Sequence, residues 1–172
     1  DEQQIFDVMP AFEAAEIDFL VVHSRTVQQK YTGVANHELT REIVDRSGIP
    51  VIANGDVTTV AGATEVMERT GAAGLMLGRG AIADPWLFNR IRGSAPDRPE
   101  GEERRRELAR YLLLLLASYE TIFYGDAQIL AKFKSVVALI QDPDQRRWCK
   151  SLKKQKRILS LRNLLNDSLT NR

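Results

Sequence analysis

The chain has 172 residues with a formal net charge of +1, and 44% of them are hydrophobic, so a sizeable core can form. Its single cysteine, Cys149, excludes an intrachain disulfide, and the apolar run at residues 112–116 is far too short to span a membrane. We expect no signal peptide, because the first residues lack the pattern of one. We therefore expect a soluble cytoplasmic protein with no membrane partner.

Charge is distributed unevenly along the chain. Residues 1–60 carry four Lys or Arg and ten Asp or Glu, a net charge of −6. Residues 146–172 carry nine basic residues and one acidic residue, Asp167, a net charge of +8. This uneven distribution of charge indicates that the C-terminal end binds a polyanion. Only 7% of the residues are aromatic, which leaves few candidates for base stacking.

The N-terminal residues predict a helix, a strand and a long loop. Residues 1–15 place apolar side chains along one helical face, and Pro10 would kink this helix or mark the start of its second piece. A strand over residues 18–22 ends at His23, and the following loop continues to about Asn36. Such connections usually have roughly two to six residues, and longer loops in compact domains are usually functional. His23 suits proton or hydrogen-bond chemistry near neutral pH, and a structural histidine that caps the strand is the alternative.

Two strand–helix units follow this loop. Asn36 caps a helix over residues 36–46, in whose first turn we expect His37 to be solvated. The next strand, residues 50–53, ends at the turn Asn54-Gly55-Asp56.

The helix that completes this first unit is capped by Thr58 or Thr59. The second unit begins with the strand over residues 74–77, which ends at Gly78-Arg79-Gly80, and its helix starts with Asp84 as N-cap and Pro85 at its first position.

Consecutive strand–helix units predict a parallel sheet whose polar loops share one edge. In barrel sheets this edge holds the active site, and a phosphate site often lies at the loops after the last two strands, beside a short helix. Gly78 and Gly80 let backbone N–H groups approach an anion, and Arg79 adds a positive charge. Asn54 and Asp56 would reach the polar part of the same ligand. Taken singly, each of these motifs is usually only a turn.

The C-terminal part predicts a small helical bundle. Residues 93–101 are rich in Pro, Gly and charge and indicate a linker, so we divide the chain into domains 1–95 and 96–172. Three helical stretches with apolar residues at helical spacing follow, the third with an interruption near Ser151. Trp148 in this third stretch is expected to anchor the core rather than to stack on a base.

The third stretch also carries five basic residues at three- and four-residue steps, which share one face if the helix is unbroken. They are Arg146, Lys150, Lys153, Lys154 and Arg157. A solvated surface is the usual explanation of such a face. Five like charges with no acid among them repel one another, however, and a phosphate backbone would relieve that repulsion. The pattern therefore favours contact with a phosphate polyanion, which the family resemblance given below implies to be RNA.

Three predicted strands are too few for a closed (β/α)8 barrel, which needs eight strands and at least about 200 residues. We expect an α/β protein that forms the C-terminal portion of a TIM-type barrel, followed by an all-α helical bundle. A missing N-terminal barrel half or a dimer partner would then cover the open sheet edge.

The stretches IPVIANGDV and GLMLGRGAIADPWLF, with VVHSRT upstream, resemble the second half of the tRNA-dihydrouridine synthases. The resemblance covers residues 21–92 well and extends more loosely through the C-terminal helices. Ser24 departs from the family pattern, in which glycine is more frequent. Members of this family are FMN enzymes with a barrel domain followed by a helical domain.

The resemblance implies hydride transfer from reduced FMN to a uracil ring in tRNA, with NADPH as the reductant of the flavin. His23 matches the active-site histidine of the family. We expect no metal in the site. Arg25 matches a residue near the active-site mouth that would contact an RNA phosphate or the target base, with a surface ion pair as the alternative. The flavin-binding positions of the family match Asn54, Gly55, Asp56, Gly78 and Arg79, with Arg79 on the phosphate.

The resemblance also implies that two functional residues lie outside this chain. In the family a cysteine from the first half of the barrel donates a proton, and a lysine from that half binds the flavin. Cys149 lies outside any matching motif, so the catalytic role is not carried over to it. We therefore expect the C-terminal part of such an enzyme, as a fragment or an incomplete gene product, and no uridine reduction by this chain alone.

Two other functions stay open. One is a different phosphate- or flavin-binding barrel oxidoreductase, because one fold hosts many unrelated chemistries. The other is a non-catalytic RNA-binding module in which the barrel part is only a platform. Absence of bound yellow flavin in the full-length protein would favour a different phosphate-binding barrel enzyme over our interpretation, and salt-sensitive tRNA binding without flavin dependence would favour the RNA-binding module.

Overall fold

The computed structural model describes residues 3–25 and 33–170 of the chain. The chain divides into two compact units, Asp1–Ala81 and Ile82–Arg172. The expected linker at residues 93–101 therefore lies inside the second unit, downstream of the division. Residues 26–32, which belong to the expected functional loop, lie outside the described residues.

The first unit is an α/β structure. Its elements in chain order are α1 (Gln4–Ala14), β1 (Leu20–His23), α2 (His37–Arg46), β2 (Val51–Asn54), α3 (Val60–Thr70) and β3 (Gly74–Met76), and a short helix α4 (Arg79–Ala83) follows β3. The three strands form one parallel sheet in the order β1-β2-β3. The α/β class and the parallel sheet predicted from the sequence are confirmed.

The sheet of this unit is packed mainly on one face. Alternate residues of a strand point to opposite faces, and Val22 and Ala53, which pair across β1 and β2, are both buried. Val22 packs in a core cluster with Met9 of α1 and Ile43 of α2. The other face carries exposed side chains, among them Val21 and Met76.

Polar caps set the starts of two helices in this unit. The Asn36 side chain accepts a hydrogen bond from the Leu39 N–H at 3.4 Å, and the Thr59 hydroxyl accepts one from the Gly62 N–H at 3.0 Å. Each bond satisfies an N–H group that the helix itself leaves unpaired. Asn36 and Thr59 are therefore the N-caps of α2 and α3, as the sequence predicts.

The second unit is helical. It contains α5 (Leu87–Ile91), α6 (Gly101–Ile122), α7 (Asp126–Val137), α8 (Arg146–Lys154) and α9 (Ile158–Thr170). Its core includes Leu112 of α6, Phe133 of α7, Leu152 of α8 and Leu161 of α9, all fully buried. Trp148 is also buried, and its Nε1–H donates to the Ser168 hydroxyl at 2.9 Å, which confirms its role as a core anchor.

A cluster of buried charges lies in the same unit. Arg90 contacts Asp84 and Glu107, and Arg104 contacts these two carboxylates as well as Asp142. The Asp84 carboxylate accepts the Trp86 N–H at 3.2 Å and its carbonyl accepts the Leu87 N–H at 3.0 Å, so Asp84 caps the turn that leads into the helix, as predicted. The regular helix α5 itself begins only at Leu87, two residues after Pro85.

The third helical stretch is broken between Lys154 and Ile158. Gln155 has an extended backbone with φ −63° and ψ 138°, so the break lies after α8 and not near Ser151. Arg157 therefore does not share the face of the other four predicted basic residues. Over the described residues, none of the helices combines the length and the apolar character needed to cross a bilayer.

Candidate functional site

Side chains at the carboxyl ends of the three strands lie in one row. The register places His23 beside Asn54 and Asn54 beside Met76. Nδ2 of Asn54 lies 3.3 Å from Sδ of Met76, a weak acceptor. The row lies on the exposed face of the sheet, so the predicted catalytic His23 and the predicted cofactor residue Asn54 are neighbours on an accessible surface.

The turn after β2 has a backbone conformation that favours glycine. Gly55 has φ 139° and Asp56 has φ 54°. A Cβ atom on Gly55 would lie only 2.7 Å from Cβ of Ala35, and 4.0 Å from Nδ1 of His23. Glycine at position 55 thus lets the turn pass close to residues 35–37 and to the end of β1.

The Asp56 carboxylate holds the loops at this sheet edge together. Nη2 of Arg25 lies 2.7 Å from Oδ1 and 2.6 Å from Oδ2. The Ala35 N–H donates to Oδ2 at 2.8 Å, and Nη2 of Arg79 lies 3.4 Å from Oδ1. Asp56 was predicted to bind the cofactor directly, but its described contacts are with protein donors from three different segments.

Arg25 lies inside this loop cluster. Its side chain is 4% exposed, and Nη2 also donates to the Gly33 carbonyl at 2.8 Å. Its Nε and Nη1 atoms are buried and have no hydrogen-bond partner among the described residues. Arg25 thus forms an ion pair with Asp56, which was the alternative to an RNA contact, and its side chain is buried rather than at the surface. An RNA contact of Arg25 remains a prediction.

Arg79 has the most exposed side chain of the three charged residues Arg25, Asp56 and Arg79. Its side chain is 48% exposed, against 29% for Asp56. A Cβ atom on the preceding Gly78 would meet no atom within 4 Å, so there is open space beside Arg79. The helix α4 that Arg79 begins has five residues and few aligned peptide dipoles, so the guanidinium charge itself is the main attraction for an anion.

His37 is a residue of the site that sequence reasoning missed. It was predicted to be solvated, but it is 6% exposed and lies next to Gly55. Burial lowers the pKa of His37 below its usual value, the charge of Arg69 adds to this, and a hydrogen bond with the Gly55 backbone opposes it. His37 is therefore a neutral ring near pH 7. The only signal for it in the sequence was its place at the end of the long loop that His23 opens.

A basic surface lies on α8 in the second unit. Five cations are exposed on the side of this helix opposite the buried Trp148, Cys149 and Leu152, and none of them makes an ion pair within the described part of the chain. They are Arg146, Arg147, Lys150, Lys153 and Lys154. Arg147 was not among the residues predicted from the sequence. Because a helix has about 3.6 residues per turn, Arg147 lies on nearly the same face as Lys154, seven residues later.

Arg157, the remaining predicted RNA contact, lies at the start of α9, where its carbonyl accepts the Leu161 N–H at 3.1 Å. A cation is unfavourable at this end of a helix dipole. Its side chain is exposed.

Cys149 has no reactive thiol. Its side chain is buried in the helical core, and desolvation raises the pKa of the thiol to about 11. Within residues 3–25 and 33–170 there is also no group of His, Cys, Asp and Glu side chains that could hold a metal ion.

Comparison with known proteins identifies relatives of the chain. The family model described as Dihydrouridine synthase (Dus) matches residues 1–169. A probable tRNA-dihydrouridine synthase from Rickettsia conorii is 37% identical over 118 residues, which cover 67% of this chain and 35% of that protein. The tRNA-dihydrouridine synthase B of Pseudomonas putida is 40% identical over 119 residues, which cover 66% of this chain and 34% of that protein.

The chain thus spans about a third of the length of these two curated relatives. The family match, by contrast, extends over nearly the whole chain and includes both compact units. The chain therefore belongs to the dihydrouridine synthase family.

Proposed function

We propose that this chain is part of a cytoplasmic, flavin-dependent enzyme that reduces uridine to dihydrouridine in tRNA. The main observation in support of the proposal concerns one edge of the parallel sheet. His23, Asn54, Asp56 and Arg79 lie together at this edge. Family membership supports the same reaction, because the curated relatives are named tRNA-dihydrouridine synthases.

In this proposal the first unit is a portion of a (β/α)8 barrel. Its parallel strands are joined by helices, and one sheet face is left exposed with an apolar residue, Val21, and the row of His23, Asn54 and Met76. In such barrels the active site lies at the carboxyl ends of the strands. The remaining strands, supplied by a further segment or a partner, would cover the exposed face.

The residues at this edge fit a phosphorylated flavin. Arg79 is half-exposed beside the open space at Gly78 and would pair with the phosphate. Gly55 keeps side-chain atoms out of the turn, and Asn54 offers an amide to the polar edge of the ring. When bound, FMN would supply hydride chemistry, with NADPH as its reductant.

His23 would contact the reacting ring directly. Its imidazole is exposed at the end of β1 and neighbours Asn54, which would face the flavin. A histidine in this place can hold a hydrogen bond to a uracil oxygen and orient the base. His37, buried and neutral behind Gly55, supports the turn instead.

The second unit would contact tRNA through the five exposed cations of α8. Basic side chains that neutralise phosphates release counterions, which gives salt-dependent binding with little sequence preference. Arg157 would add a sixth contact from the start of α9. Trp148 is buried and contributes to the fold of this surface rather than to base stacking.

We also propose that the isolated chain does not reduce uridine. The reaction needs a proton donor, and Cys149 is excluded because its thiol is buried and its pKa is raised to about 11. The proton donor and a further flavin ligand would come from residues outside this chain.

A full-length enzyme that contains this chain tests the proposal. We expect a yellow protein with bound FMN that forms dihydrouridine in unmodified tRNA when NADPH is added. A second candidate, a non-catalytic RNA-binding module, is favoured by the basic surface of α8 alone. It predicts a colourless protein with salt-dependent tRNA binding and no effect of flavin. A full-length protein that binds another cofactor and leaves tRNA unmodified would contradict both.

A further inference from the structure

We propose that Tyr124, with Ile122 beside it, forms a stacking platform for an unpaired base of the tRNA. The two residues lie at the C-terminal end of α6 in the helical unit. This inference rests on the proposed contact of that unit with tRNA, and it adds a contact to a base where the cations of α8 would contact phosphates. The flavin site is not involved.

Side chains at the turn from α6 into α7 alternate in exposure. Ile122, the last residue of α6, is 62% exposed, Phe123 is partly buried, and Tyr124 is 92% exposed. Phe123 has an extended backbone with φ −111° and ψ 149°, and successive side chains of an extended chain point to opposite sides. Phe123 therefore points toward the core of the bundle, and Ile122 and Tyr124 form an apolar patch in solvent.

Contacts of Phe123 fix the base of this platform. Its ring packs against the helical core and meets the Tyr119 ring edge-on, with the two centroids 5.3 Å apart. Nζ of Lys132 on α7 lies 5.9 Å from the centroid of the Phe123 ring. Gly125, with φ 81°, then lets the chain enter α7 at once. Tyr124 is thus held between two anchored positions while its own ring stays in solvent.

The chemistry of the platform fits a base better than a phosphate. The exposed charges that follow Tyr124 on α7, Asp126 and Lys132, have opposite signs and largely cancel as an attraction for an anion. A flat aromatic ring instead offers its face to the face of a base, and the unpaired bases of RNA loops are open to such stacking. Phe133 and Trp148, two other aromatic residues of the bundle, are buried and cannot stack on a base.

Filter binding of the 172-residue chain to tRNA and to a blunt-ended RNA duplex tests the platform. Tyr124→Ala is expected to weaken tRNA binding about tenfold, which lies within the range for one stacked base. Affinity for the duplex, which presents no unpaired base, is expected to stay unchanged. The slope of log K against log salt concentration for tRNA should also stay unchanged, because no phosphate contact is lost.

Two further variants separate the ring from the other properties of the side chain. Tyr124→Phe keeps the aromatic face and loses only the hydroxyl, so it is expected to bind tRNA as the unsubstituted chain does. Tyr124→Leu keeps an apolar side chain without a ring and is expected to lose as much affinity as Tyr124→Ala. Leu114→Ala removes a 71% exposed apolar side chain about two turns earlier on α6 and is the matched control, which should bind tRNA normally.

Each outcome decides a different point. Absence of tRNA binding by the unsubstituted chain would overturn the proposed RNA contact, and this inference with it. Normal tRNA binding that Tyr124→Ala leaves intact would overturn the inference alone. Equal losses for tRNA and the duplex, a loss in Tyr124→Phe as large as in Tyr124→Ala, or normal binding by Tyr124→Leu would also overturn it. Because Tyr124 is almost fully exposed, we expect all three variants to fold, and circular dichroism checks this.

Discussion

Arg104 and Asp142 form a buried ion pair in the helical unit, with Nε of Arg104 2.8 Å from Oδ2 of Asp142. Burial by itself lowers the pKa of Arg104, but the hydrogen bond and charge of Asp142, the charge of Asp84 and the hydrogen bond of Glu107 together outweigh it and raise that pKa above its usual value. The guanidinium therefore stays charged, and it ties α6 to the residues that precede the basic helix α8.

Loss of this guanidinium should destabilise the helical unit. Arg104→Gln removes one partner from each of the buried Asp142 and Asp84 carboxylates, which keep Arg98 and Arg90 respectively, and loss of a hydrogen bond to a charged group costs about 1.5–3 kcal/mol. Urea unfolding followed by circular dichroism measures the change. Arg110→Gln, an exposed position on the same helix, is the matched control. Equal unfolding free energies of the two variants would contradict a structural role of the buried pair.

The buried histidine predicts a pH dependence of stability. Because the pKa of His37 in the folded chain lies below its usual value of 6.5, the unfolded chain takes up a proton that the folded chain excludes. The contribution of His37 to the unfolding free energy is therefore full above pH 6.5 and falls as pH drops toward its folded-state pKa. The charges of Arg69, Asp56 and Glu65 act on the same ring.

Urea unfolding at about pH 7.5 and about pH 5.5, on either side of the usual histidine pKa, tests this expectation. His37→Gln should reduce the difference between the two pH values. Arg41→Gln, an exposed substitution on the same helix, is the control and should leave it nearly unchanged. An identical pH dependence in the unsubstituted chain and in His37→Gln would refute the assignment.

Arg79 should determine how well a full-length enzyme retains its flavin. Arg79→Ala removes the proposed phosphate partner and should weaken FMN affinity by about 1.5–3 kcal/mol, the range for a hydrogen bond to a charged group. Equilibrium dialysis of the enzyme against FMN measures this change, with Arg41→Ala as the control. Unchanged FMN affinity in Arg79→Ala would remove Arg79 from the site.

The basic surface of α8 should control the salt dependence of tRNA binding. Lys150→Gln is expected to lower the slope of log K against log salt concentration by about 0.7–0.9, the value for one lost phosphate contact. Filter binding of the 172-residue chain to tRNA at several salt concentrations gives the slope. Arg162→Gln removes a cation that is already paired with Glu120 and should change the slope less. Equal effects of both variants would mean that overall charge, and not the surface of α8, binds RNA.

Local signals explain which parts of the fold could be predicted from the sequence. The caps at Asn36 and Thr59 and the apolar runs of the strands are short-range patterns, and the structure confirms them. The two strand-end turns were also visible, because Gly55 follows β2 directly and Arg79 lies three residues after the end of β3. Parallel pairing then brings these turns to one sheet edge, as Asp56 and Arg79 demonstrate by their contact.

Contacts between distant residues explain what could not be predicted. Arg25 and Asp56 are 31 residues apart, so no local pattern indicates that they form a buried pair. Burial of His37 depends on how closely Gly55 approaches it. The break after Lys154 contains no proline or glycine, the usual signals for a helix end, so the separation of Arg157 from the helix of the other four predicted basic residues could not be located in advance.

The most direct test of the account is the amount of dihydrouridine formed in unmodified tRNA by a full-length enzyme that contains this chain, with FMN and NADPH supplied. We predict NADPH-dependent dihydrouridine formation that falls in the Arg79→Ala variant and is absent for the 172-residue chain alone. A flavin-loaded, folded full-length protein that binds tRNA but forms no dihydrouridine would contradict the proposed function.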